Sequence, residues 1–312
     1  MPGARRPGLV PGRPDWPGTG SGGTRILTMT SATTTTAAAL RQRAGLPVLA
    51  WPVFDPLPAD VIVTTRRGGV SAGRYATLNL SLTVGDDPAH VHENRRRAAA
   101  ALGTGLAAFV FANQVHGSRA AVVSAADRGR GTLAASDAIG SADALVTAEP
   151  GTVLAILVAD CVPVVLYDPA AHVLACVHAG WRGTAAHVTK AALAAMRQLG
   201  SQPRDVIAGI GPAIGPASYQ VGEEVAAAVR DAFGQQAPAL LRPDAGGGPG
   251  RWLLDLPAAN RQALRAAGVP DSQIHVADMT TGPGAGLFFS HRAERPCGRF
   301  ALAARLGPRG QR

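Results

Sequence analysis

Between residues 46 and 304, short apolar runs alternate with longer amphipathic stretches along the chain. Apolar runs rich in β-branched residues predict strands, and amphipathic stretches predict helices, so this alternation indicates an α/β fold. Neither an internal repeat nor a linker rich in proline and glycine divides the segment. We therefore expect a single α/β domain over residues 47–306.

The positions of the apolar runs and amphipathic stretches predict individual strands and helices. We expect strands at 61–65, 107–114, 120–124, 153–159, 205–210 and 273–277, and helices at 85–102, 183–199, 222–233 and 256–267. The runs Val164–Asp168 and Val173–His178 flank a short proline-containing turn, which is typical of an antiparallel hairpin. Residues 237–250 carry a cluster of glycines and are expected to form a surface loop.

The net charge of +9 belongs mainly to the ends of the chain. Residues 1–45 contain six arginines and one acid, and the last eight residues contain three arginines and no acid. The ends thus carry eight of the nine charges and leave the body at +1. Domains that bind nucleic acids gather basic residues on one folded face. We therefore expect no specific nucleic-acid partner.

The first segment of the chain is rich in glycine and proline, and a Ser/Thr/Ala tract follows it at residues 31–39. Such compositions bury too little apolar surface to offset the entropy lost on ordering. We expect disorder over residues 1–46 and a short tail at 307–312.

Cys161, Cys176 and Cys297 show no paired spacing typical of a disulfide framework. No secretory signal precedes residue 45. The longest apolar run, residues 152–167, is too short and too interrupted to cross a bilayer. These features favour a cytoplasmic protein with reduced cysteines and no membrane partner; the sequence carries no indication of oligomeric state.

Three short segments place reactive side chains beside glycine or proline, each at the predicted end of a strand. They are Asn113-Gln114-Val115-His116-Gly117, Ala159-Asp160-Cys161-Val162-Pro163 and Val177-His178-Ala179-Gly180-Trp181-Arg182-Gly183-Thr184. Strand ends of this kind place side chains on the rim of a sheet, where a ligand has room to bind. We therefore take these segments as the candidate site.

Two imidazoles and one thiolate, from His116, Cys161 and His178, form a ligand set that suits zinc and leaves one coordination position open. The separations of these residues match no local zinc-finger spacing. Taken singly, each residue is more often structural, because an isolated cysteine on a strand is usually a small buried apolar residue. Cys176, in the middle of a predicted strand, keeps that interpretation.

Nine ordered blocks resemble one known family. They are Thr65-Arg66-Arg67-Gly68-Gly69-Val70-Ser71, Leu78-Asn79-Leu80, Val84-Gly85-Asp86-Asp87, Gln114-Val115-His116-Gly117, Ala142-Asp143-Ala144-Leu145-Val146-Thr147, Ala159-Asp160-Cys161-Val162-Pro163, His178-Ala179-Gly180-Trp181-Arg182-Gly183-Thr184, Gly211-Pro212-Ala213-Ile214-Gly215-Pro216 and Phe288-Phe289-Ser290-His291-Arg292. From about residue 50 to 306 the chain resembles the YfiH-like family, formerly called laccase-domain or polyphenol oxidase proteins and now regarded as purine nucleoside phosphorylases. One departure is Met279-Thr280, where the family often has Cys-Thr.

The resemblance implies a zinc site at His116, Cys161 and His178. It also implies a single α/β domain with a mixed β-sheet core and peripheral helices, similar to the fold of toxin deamidases with a Cys-His pair. Members cleave adenosine, inosine, guanosine or methylthioadenosine with phosphate, and deaminate adenosine to inosine. Purine nucleosides and phosphate are therefore the expected partners.

Phosphorolysis needs a phosphate beside C1′ of the ribose and a site that stabilises an oxocarbenium-like transition state. Arginine suits this phosphate because its planar fork matches two oxygen atoms. The candidates are Arg66, Arg182 and Arg292, whereas Arg67 is expected to face solvent.

Deamination needs an activated water and a group that transfers protons. Asp160, beside Cys161, is the candidate general acid or base, with capping of loop amides as its structural alternative. Asn79 and Gln114 are candidates for binding the ribose or the base, and loop hydrogen bonds are their structural alternative.

Two other enzyme classes fit parts of the pattern. Two histidines and a cysteine also suit copper, which would allow laccase-like oxidation of phenols. A multicopper oxidase needs many paired histidines, however, and this chain has eight histidines with a single His-x-His, at His90 and His92. A metal-free hydrolase or deamidase would instead use Cys161 as nucleophile and His178 as base. A non-catalytic interaction module would show neither activity.

Overall fold

The computed structural model describes residues 38–284 and 286–310, which belong to one compact unit. Within them the strands are β1 (Ala39–Arg43), β2 (Leu46–Ala50), β3 (Ala59–Thr64), β4 (Phe109–Phe111), β5 (Ala120–Val122), β6 (Ala144–Thr147), β7 (Val153–Val158), β8 (Val162–Asp168), β9 (Val173–Ala179), β10 (Ile207–Ile210), β11 (Ala213–Ile214), β12 (Gln220–Gly222), β13 (Leu241–Pro243), β14 (Arg251–Leu254), β15 (Ile274–Val276), β16 (Thr280–Thr281) and β17 (Phe300–Leu306). The α-helices are α1 (Pro88–Ala101), α2 (Trp181–Ala185), α3 (Val188–Gln198), α4 (Glu223–Phe233) and α5 (Leu256–Ala266).

Most strands belong to two six-stranded mixed sheets. Sheet I has the order β1-β2-β3-β17-β7-β4, and only its β4–β7 pair is parallel. Sheet II has the order β15-β10-β8-β9-β6-β5, antiparallel at its centre and parallel at both edges. The expected mixed β core with peripheral helices is present, built from two sheets rather than one. Two small sheets, β11-β16 and β12-β14-β13, lie beside them.

The two large sheets pack face to face. Ile156 and Leu302 of sheet I meet Val165 and Leu174 of sheet II in one buried cluster. Because successive side chains in a strand point to opposite faces, the alternate residues of sheet II pack against α3, α4 and α5. Helix α1 covers the outer face of sheet I. Both faces of β8 and β9 are therefore buried, which explains their nearly unbroken apolar sequences.

The predicted hairpin is confirmed as the antiparallel pair β8–β9, and the helix expected at 85–102 is α1, capped by the side chain of Asp87. The single helix expected at 183–199 is wrong, because α2 and α3 are separate helices. His187 adopts a left-handed conformation with φ of 58° between them, which the right-handed helical path does not allow.

The predicted boundary of disorder at residue 46 lies too far along the chain. Strand β1 pairs with β2 along its whole length, which places residues 39–43 in sheet I. Residues 1–37 of that segment, and residues 311–312 of the predicted C-terminal tail, lie outside the described residues. The surface loop expected at 237–250 contains β13, which pairs with β14. In the part of the chain that the structure describes, no helix is both long and apolar enough to span a bilayer.

Candidate metal centre and cavity

Three strand ends converge at one edge of the two sheets. β4 and β7 are parallel neighbours in sheet I, so the residues that follow them, His116 and Cys161, lie at the same edge. The turn at residues 159–161 carries the chain from sheet I into β8 of sheet II. His178 lies near the end of β9 and is paired in register with Pro163 of β8, close to the same turn.

The ligand atoms of His116, Cys161 and His178 lie within 4.8 Å of one another. The two imidazole rings meet edge to face, with centroids 4.7 Å apart. His178 is buried and Cys161 is half-buried, whereas His116 is exposed at the opening. The structure thus brings together the three residues predicted to bind metal, at distances that allow one ion to contact all of them.

A buried carboxylate, Asp143, holds this arrangement in place. Its Oδ1 accepts a hydrogen bond from Nδ1 of His178 at 2.8 Å and from the backbone N–H of His116 at 2.9 Å, and its Oδ2 accepts from the backbone N–H of Gly117 at 2.7 Å. The bond to Nδ1 leaves Nε2 of His178 as the ligand atom. The loop bonds fix His116, whose φ is +59°.

Sequence reasoning missed Asp143, although it lies in one of the nine family-like blocks. The available signal was a carboxylate directly before the buried strand β6, where an unpaired charge is costly and a hydrogen-bonding partner is required.

Electrostatics in the centre favour a charged pair. Burial opposes ionisation of the Cys161 thiol, but the charge of His178 and the hydrogen bonds of both histidines outweigh it and lower the pKa of the thiol. Burial likewise opposes protonation of His178, yet Cys161 and Asp143 raise the pKa of its imidazole. Cys161 is therefore a thiolate near neutral pH, which is the form that binds metals.

Gly180 leaves the space that an ion in this centre requires. A Cβ atom at this position would lie 2.9 Å from Sγ of Cys161 and 2.9 Å from Cδ2 of His116. Any larger residue would therefore intrude between two ligands. The donor set and this open space fit one metal ion, and two imidazoles with a thiolate suit zinc as well as copper.

The centre opens into a cavity of about 540 Å³. Four other residues predicted for the site also line it, namely Gln114, Asp160, Arg182 and Arg292. Its wall further includes residues that sequence reasoning did not single out as binding residues: Arg95, Tyr219, His291, Arg295 and Arg299. Arg95 lies on α1, Tyr219 lies before β12, and the other three lie in the segment before β17, so only the fold reveals that these three regions meet.

Arg66 and Asn79 are not among the residues that line this cavity, so their roles in substrate binding stay predictions. The Arg66 guanidinium donates to the carbonyl of Ala76, pairs with Glu294 at 3.0 Å and stacks on Phe289. The Asn79 amide is fully buried and bridges loop segments through Ser81, Asp86 and the backbone N–H of Arg299. Both side chains form contacts that connect loop segments.

Gln114 and Asp160 line the cavity but are already engaged. The Gln114 amide exchanges two hydrogen bonds with the backbone of Leu157 and so extends the pairing of β4 with β7. One Asp160 oxygen accepts from the hydroxyl of Thr281 at 2.5 Å, and the other accepts from the backbone N–H of Arg292 at 2.6 Å. Asp160 thus caps a loop amide, which is the structural alternative to a catalytic role. Catalysis by Asp160 stays a prediction.

Arg182 and Arg292 present their guanidinium groups at the cavity. Arg182 lies over the Trp181 ring at 4.2 Å, and no described residue forms a hydrogen bond with its side chain. Arg292 donates to the carbonyl of Gln220 at 2.9 Å and lies 5.2 Å from the Tyr219 ring centroid. Of the three predicted phosphate-binding arginines, these two line the cavity, and phosphate binding by them stays a prediction.

A family model described as multi-copper polyphenol oxidoreductase laccase matches residues 60–306. The chain belongs to this family. The resemblance seen in the nine blocks is thus confirmed over most of the chain. Among the described residues, however, only the His116, Cys161 and His178 group offers three clustered ligands for a metal ion. One such group accommodates one ion, so a set of several coppers has no evident ligands there.

Curated relatives carry a more specific name than this family. A protein of Geobacillus stearothermophilus called purine nucleoside phosphorylase YlmD is 41% identical over 242 residues, which covers 75% of this chain and 84% of that protein. A Streptomyces griseus protein called purine nucleoside phosphorylase ORF3 is 42% identical over 251 residues, covering 78% of this chain and 92% of that protein.

Solved structures show the same fold. The crystal structure of YlmD from Geobacillus stearothermophilus matches with a TM-score of 0.81 at 37% identity, covering 87% of this chain and all of that one. The Bacillus licheniformis protein YfiH matches with a TM-score of 0.81 at 36% identity, covering 86% of this chain and 98% of that one.

Proposed function

We propose that this protein is a zinc-dependent purine nucleoside phosphorylase that also deaminates adenosine. It cleaves adenosine, inosine, guanosine or methylthioadenosine with phosphate, and it converts adenosine and water to inosine and ammonia. The observation that carries the proposal is the His-Cys-His centre in one cavity with two available arginines. The names of the relatives at 41 to 42% identity support the purine nucleoside phosphorylase part of the proposal.

In phosphorolysis the C1′–N9 bond breaks, the base keeps the bonding electrons, and a phosphate oxygen forms the new bond to C1′. The chain's main task is therefore to place an anion beside a carbon that becomes positively charged. Arg182 and Arg292 bind the phosphate in this proposal. Asp160 contributes by fixing the backbone of Arg292, and Gln114 forms part of the wall beside the nucleoside.

His116, Cys161 and His178 hold the zinc ion. When bound, zinc supplies Lewis acidity, which is the chemistry that water activation in deamination requires. The chain's own contribution is orientation. Asp143 holds His178 and the His116 loop, and Gly180 keeps the centre open. Asp160 is the proposed general acid or base of the deamination.

The first experiment incubates zinc-loaded protein with inosine, with and without phosphate, and follows hypoxanthine and ribose 1-phosphate by chromatography. We expect base release that depends on phosphate. Adenosine should give adenine with phosphate and inosine without it, and methylthioadenosine should be cleaved. The Cys161→Ala variant should lose zinc and activity together. A folded, zinc-loaded sample that releases no base in the presence of phosphate refutes the proposal.

A metal-free Cys-His hydrolase is the second candidate, because Cys161 and His178 stabilise each other as thiolate and imidazolium. In that case Cys161 attacks a carbonyl and zinc inhibits the enzyme. An electrophile that traps Cys161 covalently in active, metal-free protein supports this candidate. Metal analysis also tests the copper alternative, since copper at the same centre should give oxidation of phenols.

A further inference from the structure

Tyr219 has no role in the site as described so far, although it lines the same cavity as the metal centre. It lies directly before β12, and its carbonyl accepts a hydrogen bond from the backbone N–H of Leu254 at 3.1 Å, which anchors it. Its ring packs against the core between sheet II and the helices. The side chain is therefore held in one place by both its backbone and its ring.

The hydroxyl of Tyr219 differs from those of the other described tyrosines in its hydrogen bonding. Tyr75 and Tyr167 both use their hydroxyls, toward the carbonyl of Val84 and the ring of His172. No described residue forms a hydrogen bond with the hydroxyl of Tyr219. Tyr219 is half-buried and lines the cavity, so a ligand or a water in the cavity can form a hydrogen bond with its hydroxyl.

The charged neighbours of Tyr219 indicate which ligand suits it. The Arg292 guanidinium lies 5.2 Å from the ring centroid, and Arg182 lines the same cavity. The nearby acid, Asp160, has both oxygens engaged by Thr281 and the backbone of Arg292. Burial raises the pKa of the Tyr219 phenol, so the hydroxyl keeps its proton and is able to donate a hydrogen bond.

We propose that the Tyr219 hydroxyl donates a hydrogen bond to the phosphate co-substrate, between the guanidinium groups of Arg182 and Arg292. A tetrahedral anion in this position contacts two positively charged guanidinium groups and one neutral hydroxyl donor. The phenol adds a directional contact without adding charge, which helps to aim one phosphate oxygen at C1′. This inference rests on the proposed phosphorolysis and assigns part of its phosphate site.

The Tyr219→Phe variant tests the inference, because it removes the hydroxyl and keeps the ring that packs beside Arg292. Hydrogen bonds to charged groups are strong enough that KM for phosphate should rise about 10-fold or more. KM for inosine should change less than about twofold. The Tyr167→Phe variant is the matched control: it loses a hydroxyl far from the cavity wall and should leave both constants unchanged.

Direct binding gives a second readout. Titration of zinc-loaded protein with inorganic phosphate, followed by calorimetry, should show weaker binding to Tyr219→Phe than to the wild type and to Tyr167→Phe. An unchanged phosphate KM and affinity in Tyr219→Phe overturn the inference while the proposed function stands. A fall in kcat with both Michaelis constants unchanged also overturns it. If the wild type shows no phosphate-dependent base release, both proposals are wrong.

Discussion

A buried aspartate and a buried histidine lie beside each end of the β8–β9 hairpin, the aspartate at one end coming from the residue before the neighbouring strand β6. At the end beside the cavity these are Asp143 and His178, and at the turn they are Asp168 and His172. Burial does not distinguish the two ends, because each aspartate is at most 1% exposed and each histidine is 3% exposed. Each carboxylate also accepts several backbone N–H groups of a nearby loop.

The difference lies in which atoms remain available. At the turn, Nδ1 of His172 bonds to the hydroxyl of Tyr167 at 3.0 Å, and Nε2 bonds to the carbonyl of Gly307 at 2.9 Å. Both ring nitrogens are therefore used within the protein. His178 uses one nitrogen for Asp143 and presents the other to the metal centre. The comparison teaches that a free ligand atom facing a cavity, rather than burial or hydrogen bonding alone, marks the functional end.

Replacing each histidine in turn should reveal the largest functional difference between the two ends of the hairpin. We expect His178→Ala to lose stoichiometric zinc and to lower phosphorolysis by more than about 100-fold, because it removes a ligand rather than an outer partner. His172→Ala should keep zinc and activity and lose about 1–3 kcal/mol of stability. Metal analysis, kinetics and urea unfolding measure the two effects. Equal loss of zinc in both variants contradicts the comparison.

A methyl group at Gly180 should act on the cavity end alone. The Cβ of Gly180→Ala would meet Sγ of Cys161 and the His116 ring at 2.9 Å, so a ligand must move. We expect zinc affinity to fall about 10-fold or more, while the melting temperature of the metal-free protein changes little. Gly105→Ala is the control, because nothing lies within 4 Å of its added Cβ. Normal zinc affinity in Gly180→Ala would show that the ligands lie farther apart than described.

Much of the architecture was predictable from the sequence because burial leaves a local pattern. The apolar runs gave β7, β8, β9 and their hairpin, and the position of reactive residues at strand ends gave the three ligands of the centre. The two-sheet arrangement was not predictable, since a run buried on both faces does not reveal whether a helix or a second sheet covers it. The break between α2 and α3 at His187 depends on a left-handed backbone conformation, which no residue pattern in the sequence predicts.

The cavity wall was harder to predict than the ligands. Arg66 looked as suitable as Arg182, since both are arginines in glycine-containing segments, and only the fold shows that Arg66 is paired with Glu294. Asp143 and Tyr219 form their contacts with residues distant in sequence. Such roles depend on which side chains meet across elements, and single-sequence patterns carry no information on that.

The two aspartates offer a finer test of the same comparison. We expect Asp143→Asn to weaken zinc binding about 10- to 100-fold, because a neutral amide is a weaker acceptor for Nδ1–H of His178 and so orients the ring less firmly and makes Nε2 a less basic ligand. Asp168→Asn should leave zinc affinity unchanged, since its partners are Ser201, Gln202 and the turn amides. Competition with a zinc chelator measures both affinities. If Asp143→Asn binds zinc normally, the carboxylate only holds the loop.

Acid should weaken the turn through Asp168. Burial opposes ionisation of this carboxyl, but the hydroxyl of Ser201 and three backbone amides outweigh it and lower its pKa below the ordinary 3.8. A group with a lowered pKa stabilises the folded state above its unfolded pKa, and this contribution is lost as the pH falls through the folded value. Asp168→Asn should therefore be about 1–3 kcal/mol less stable than the wild type at neutral pH.

The stability gap between Asp168→Asn and the wild type should shrink as the pH falls below about 4, because the wild-type carboxyl then becomes neutral as well. Urea unfolding of metal-free protein at a series of pH values measures it. Asp278→Asn is the control, since Asp278 is exposed and no described residue forms a hydrogen bond with its side chain. A gap of constant size from neutral to acid pH would show that shape, rather than charge, makes Asp168 stabilising. Asp168 would then stabilise the turn by packing and hydrogen-bond geometry, whereas the role expected of Asp143 depends on its charge.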